Sequence, residues 1–157
     1  MTATDIEIQA HPLLAQLIGR HQARWVDFDK LTDWQQQAGD QVLLLAGDPV
    51  RFPEALDVAV VLPELQRVSA VQGRPFGLGV VVPDCAQALA RTFGSQHWPT
   101  LVFFRDGQYV TAVSGMHDWP QYLALVAQAL DAPPSRAPGI GIPVVSANND
   151  SGNGACH

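Results

Sequence analysis

A two-residue turn constrains this chain more than any other feature. Asp106-Gly107 stands between TLVFFR (100–105) and QYVTAVSG (108–115). An Asp-Gly pair flanked by β-prone runs predicts a tight hairpin, because both turn residues must accept positive φ. The first run is apolar on both faces and belongs inside a sheet; the second alternates less clearly and suits an edge. Trp98-Pro99 precedes the hairpin, and WPQYLALVAQAL (119–130) follows it. In that last segment Leu123, Val126, Ala127 and Leu130 share one helical face, Asp118 is the expected cap and Pro120 fits the first turn. A hairpin closed by a helix still needs strands beside it and helices over its apolar faces, and the upstream sequence supplies both.

HPLLAQLI (11–18) predicts a helix that begins near Pro12 and stops at Gly19. RWVDFD (24–29) reads as a strand, TDWQQQAG (32–39) as a helix capped by Thr32 and Gln35, and QVLLLAG (41–47) as a strand buried on both faces. The loop DPVRF (48–52) leads to a helix over 53–71, which Pro63 is expected to kink or divide. FGLGVVV (76–82) is a strand, and Asp84 caps a helix over 85–93 that Gly94 stops. Such alternation predicts a mixed sheet with helices on both faces. The expected organisation is a domain over 1–130, with an N-terminal helical extension, and a flexible tail over 131–157. That tail is rich in Pro, Gly, Ser and Asn, and Ile140–Val145 is its one segment able to attach to something transiently.

Charge and motifs exclude several functions. The formal net charge is −6, Lys30 is the single lysine, and no basic run offers a nucleic-acid surface. The start, MTATDIEIQAHPLLAQLIG, carries acids where a secretory signal has positive charge, and its apolar part is too short to span a membrane; the expected location is the cytoplasm. Gly77-Leu78-Gly79 lacks the spacing and the Lys-Ser/Thr finish of a phosphate loop, so no nucleotide or other cofactor is expected. The five histidines, at 11, 21, 97, 117 and 157, show no metal-ligand spacing, and Cys156-His157 alone does not specify a site. Two cysteines, Cys85 and Cys156, do not make a disulfide framework. Cys85 reads as a small buried hydrophobe near a helix start.

VLLLAG before a long helix, Pro63 within that helix, Trp98-Pro99-Thr100 before the hairpin, and WPQYLALVAQAL at the end together resemble the thioredoxin-like fold over about residues 20–130. The resemblance implies a three-layer α/β/α domain with a mixed sheet, a final β-hairpin and a closing helix, and a cis peptide bond at Pro99. It also implies a Cys-x-x-Cys pair at positions 55 and 58, where this chain has Ala55 and Val58. Disulfide exchange needs sulfur at that step, so the usual chemistry is lost while the architecture is kept. In lacking the pair, the chain is similar to the hydrogenase-1 operon accessory family, which assists maturation of nickel–iron hydrogenases. That likeness implies a non-enzymatic chaperone. Its implied partners are the hydrogenase small-subunit precursor, through its twin-arginine signal peptide, and other hydrogenase accessory proteins.

A signal peptide with a basic beginning and an apolar middle needs acids beside an apolar platform. The candidate partner-binding residues are Asp48, Glu54 and Asp57 as acids and Phe52, Leu56 and Trp98 as platform, beside Pro99. Each has a plainer role. Asp48 suits an Asp-Pro turn, Glu54 and Asp57 suit a helix N-terminus, and Phe52, Leu56 and Trp98 suit the core. Glu64, deeper in the helix, reads as solvated surface, as does His97. Arg51 and Arg74 could meet an acidic patch on the partner. Two other readings stand beside the chaperone: a structural adaptor in a hydrogenase accessory complex, and an atypical thiol-redox enzyme using Cys85 or Cys156.

Overall fold

The computed structural model describes residues 11–48 and 50–137. The elements follow the expected order: α1 (Pro12–His21), β1 (Arg24–Val26), α2 (Phe28–Gln35), β2 (Asp40–Leu45), α3 (Glu54–Val71), β3 (Phe76–Val81), α4 (Ala86–Thr92), β4 (Thr100–Arg105), β5 (Gln108–Ser114) and α5 (Trp119–Asp131). A single 3-10 turn, Pro83–Cys85, leads into α4.

Four local readings change. Asp84 does not cap α4, whose N-cap is Cys85 with no side-chain cap hydrogen bond. The first helix runs through Gly19 and ends at Gln22, whose φ of 61° turns the chain left-handed; the Ala23 N–H then reaches back to the Leu17 carbonyl (2.9 Å). Leu14 and Leu17 are buried on this helix, which packs against α3. The first strand stops at Val26, because Asp27 rather than Thr32 caps the following helix, accepting from the Lys30 N–H at 2.8 Å. Pro63 does not divide α3: the helix is continuous on both sides of it, with Ala55, Val58, Ala59, Leu62 and Leu65 buried. Burial of each large apolar side chain contributes about 1.5–3 kcal/mol, enough to offset one missing helical hydrogen bond.

The five strands lie in the order β1-β3-β2-β4-β5. Strands β1, β3 and β2 are parallel, and β4 and β5 run antiparallel to their neighbours. The predicted hairpin forms at Asp106-Gly107, with φ of 49° and 87°, and it is tied to the α2–β2 loop by paired contacts between Asp106 and Gly39 (2.7 and 3.0 Å). Helices α3 and α5 pack together on one face, with α1 against α3. On the other face, Trp34 of α2 and Phe93 at the end of α4 meet Phe104 edge-on, at ring-centroid distances of 5.8 and 5.3 Å. Gly79 lets α2 approach: a β-carbon there would lie 2.7 Å from Cε2 of Trp34. These layers make the thioredoxin-like α/β/α fold.

The chain beyond α5 stays on the sheet. Arg105 donates to the carbonyls of Leu130 (2.6 Å) and Ala132 (2.7 Å) and pairs with Asp40 at 2.8 Å. The Ser135 N–H and hydroxyl donate to the Tyr109 and Val110 carbonyls, both at 2.8 Å, where a bulge in β5 turns these groups outward. The segment Ile140–Val145 lies outside the described residues. Among the described residues, no helix is long and apolar enough to cross a membrane.

Candidate functional site

One end of the sheet gathers the loops that matter. Pairing of Leu45 with Thr100, and of Thr100 with Ser114, sets the end of β2, the start of β4 and the end of β5 side by side. Phe52, two residues before α3, and Trp98, two residues before β4, therefore converge; their rings are 6.2 Å apart between centroids and inclined by 41°. Together with His11, Leu14, Gly47, Asp48, Arg51 and Gln87, they line a cleft of about 290 Å³. That volume suits one or two side chains rather than a drug-sized ligand.

The loop carrying Trp98 is fastened from below. The Trp98–Pro99 bond is cis, as the resemblance implied. The Pro99 carbonyl accepts from the Gly115 N–H at 2.7 Å, and the Gly115 carbonyl accepts from the buried Tyr122 hydroxyl at 2.7 Å. Thr100, 1% exposed, has its hydroxyl 2.7 Å from the His97 carbonyl, 2.9 Å from the Ser95 hydroxyl and 3.1 Å from the Ser114 hydroxyl. A hydroxyl satisfied on several sides in the interior holds the loop's path. Behind the indole, Gly47 has φ +76° and no room for a side chain.

The opposite wall is set by a turn. The Asp48 carbonyl accepts from the Phe52 N–H (2.7 Å), and its carboxylate accepts from the Val50 N–H (3.0 Å). Val50 is 89% exposed. The Arg51 guanidinium carbon lies 5.4 Å from the centre of the Phe52 ring. At the cleft's far side, His11 caps α1 by accepting from the Leu13 N–H on Nδ1 (3.1 Å).

Of the candidate residues, Asp48, Phe52 and Trp98 line the cleft together, and Pro99 is buried behind Trp98. Glu54, Leu56 and Asp57 do not line it: Glu54 and Asp57 are exposed in the first turn of α3, and Leu56 is half-buried. Ala55 and Val58 are fully buried, so the corner expected to hold sulfur is packed with hydrocarbon. Glu64 pairs with Arg67 on the surface of α3 at 3.0 Å, which holds its carboxyl below the usual range. His97 is exposed, and Cys85 is 1% exposed at the start of α4. Among the described residues no group of three or more His, Cys, Asp or Glu could hold a metal ion. Arg74 engages Asp131 and the Leu130 carbonyl at the far end of the molecule, away from the cleft. Sequence reasoning missed Gly47, Leu14 and His11 as cleft residues. The first had a legible signal, a glycine closing a buried strand immediately before an Asp-Pro turn.

Comparison with known proteins bears on the family and the fold. The family described as "Hydrogenase-1 expression protein HyaE" matches residues 13–122. The chain is 51% identical over 146 residues to the hydrogenase expression/formation protein HoxO of Cupriavidus necator, covering 93% of this chain and 88% of that one. It is 38% identical over 111 residues to HupG of Bradyrhizobium diazoefficiens, also a hydrogenase expression/formation protein, covering 71% and 73%. Among solved structures, a mutant thioredoxin from Halobacterium salinarum superposes with a TM-score of 0.53 at 21% identity, over 71% of this chain and 95% of that one, a likeness of fold alone.

Proposed function

The chain belongs to the hydrogenase-1 expression protein HyaE family, and from that membership and the Trp98 cleft we propose a non-enzymatic chaperone of nickel–iron hydrogenase maturation. In this reading it holds the small-subunit precursor by its twin-arginine signal peptide before export. The names of the relatives support the hydrogenase role. One observation carries the finer reading: Phe52 and Trp98 form an apolar cleft edged by Asp48, at the corner where Ala55 and Val58 leave no sulfur to react. An aromatic pair anchors an apolar side chain, and a carboxylate at its rim attracts the basic start of the peptide. Glu54 and Asp57, exposed one turn away, extend the negative field without touching the cleft, and act on encounter more than on residence.

The test is crosslink mapping in cells producing the hydrogenase, with photo-reactive residues placed at Val50 and Gln87. Crosslinks to the signal segment of the small-subunit precursor support the chaperone reading. Crosslinks confined to another accessory protein replace it with an adaptor. Substituting Glu54→Gln and Asp57→Asn should slow peptide association at low salt and have little effect at high salt.

A further inference from the structure

The cleft beside Trp98 already contains a guanidinium, and it belongs to this chain. Arg51 lines the cleft with its guanidinium carbon 5.4 Å from the Phe52 ring centre. The ring's quadrupole attracts a cation held over its face. Yet Arg51 is exposed, and among the described residues no carboxylate lies within ion-pair distance of it. Its hold on the cleft is therefore a single aromatic contact with the neighbouring residue. Asp48, in the same lining, is the complementary half: one carboxylate oxygen accepts from the Val50 N–H, and the other has no hydrogen-bond partner among the described residues.

We propose that this cleft reads an arginine of the bound peptide, and that Arg51 is the internal stand-in which the peptide's arginine displaces. The inference rests on the chaperone reading and adds the ligand group and the competitor. The incoming guanidinium would take the place of Arg51 over the Phe52 ring, beside Trp98, and donate to the open oxygen of Asp48. Arginine suits the place better than lysine, since a planar, weakly hydrated guanidinium stacks on rings and forks onto a carboxylate, whereas an ammonium is a compact, strongly hydrated charge. The stand-in keeps the Phe52 ring covered when no peptide is present, and sets a threshold that a weakly matching segment does not cross.

The experiment compares two synthetic peptides, one with adjacent arginines ahead of an apolar run and one with lysines in their place. Each is titrated calorimetrically into the full chain, into Arg51→Gln and into Asp48→Asn. Asparagine can still accept from the Val50 N–H, so the turn is retained in the last variant. With the cation–ring contact worth about 0.5–1 kcal/mol, R51Q should tighten the arginine peptide about two- to fivefold, and the lysine peptide distinctly less. D48N should weaken the arginine peptide more than the lysine one. An R51Q chain that binds the arginine peptide more weakly, or gains equally for both peptides, would overturn the stand-in while leaving peptide binding intact. Absence of saturable binding by every form would overturn the chaperone reading and this inference with it.

Discussion

The indole of Trp98 lies against Gly47 so closely that a β-carbon on residue 47 would fall 2.8 Å from Cδ2 and 2.9 Å from Cγ. Side chain and backbone have fixed each other: Gly47 takes φ +76° at the end of a buried strand, and the Trp98 ring occupies the space this leaves. The cleft wall is therefore set by two loop residues packed against each other at the end of the sheet.

Replacing Gly47 by alanine should cost more than its backbone conformation alone. Gly39 is the control, because it has φ +85° and open space where a β-carbon would go. Gly39→Ala should lose about 1–2 kcal/mol, the left-handed penalty, equivalent to a Tm fall of a few degrees for a chain of this size. Gly47→Ala should lose distinctly more and shift the emission of Trp98. Thermal denaturation followed by fluorescence measures both. Equal losses at the two positions would show that the Trp98 contact carries no energy.

Tyr122 should make the fold sensitive to alkali. Burial pushes its phenol up to about 12 from 10.0, because the charged form is desolvated. The folded state thus prefers the neutral phenol. This contribution is fully present below about pH 10 and is lost as pH rises from 10 towards 12. Tyr122→Phe should flatten the alkaline limb of a stability–pH curve. It should also cost about 1–3 kcal/mol at neutral pH, since the Gly115 carbonyl loses its donor. Urea unfolding at pH 7 to 11.5 tests both parts.

Arg105 should not be replaceable by lysine. Its guanidinium reaches Asp40, Leu130 and Ala132 at once, joining the starts and ends of three elements. An ammonium has neither the fork nor the reach for all three. Arg105→Lys should lower stability by about 2 kcal/mol. Hydrogen exchange should show the greatest added opening at the end of α5 and over residues 132–137.

The fold was legible wherever apolar runs or turn residues forced one answer. TLVFFR, Asp106-Gly107 and WPQYLALVAQAL gave a strand, turn and helix that differ from the structure by a residue or less. Boundaries failed where two residues could cap the same helix, as Asp27 displaced Thr32, and where Gly19 read as a stop although the helix ran on to a left-handed Gln22. The cleft was legible in part. Trp98 and Phe52 stood out as aromatics flanking the expected corner. Their meeting, and the exclusion of Glu54, Leu56 and Asp57 from the lining, depend on the approach of loops more than forty residues apart in sequence, which no local pattern encodes.

The chaperone role requires that the Trp98 cleft hold a peptide. Calorimetric titration of a twin-arginine signal peptide of a hydrogenase small subunit into the full chain and into Trp98→Ala, with circular dichroism confirming that both are folded, is the direct measurement. One-to-one saturable binding to the full chain, weakened about tenfold or more in the variant, is the predicted result, as expected for removal of a central aromatic anchor. Equal affinity in the two proteins, or no saturable binding to either, would contradict it.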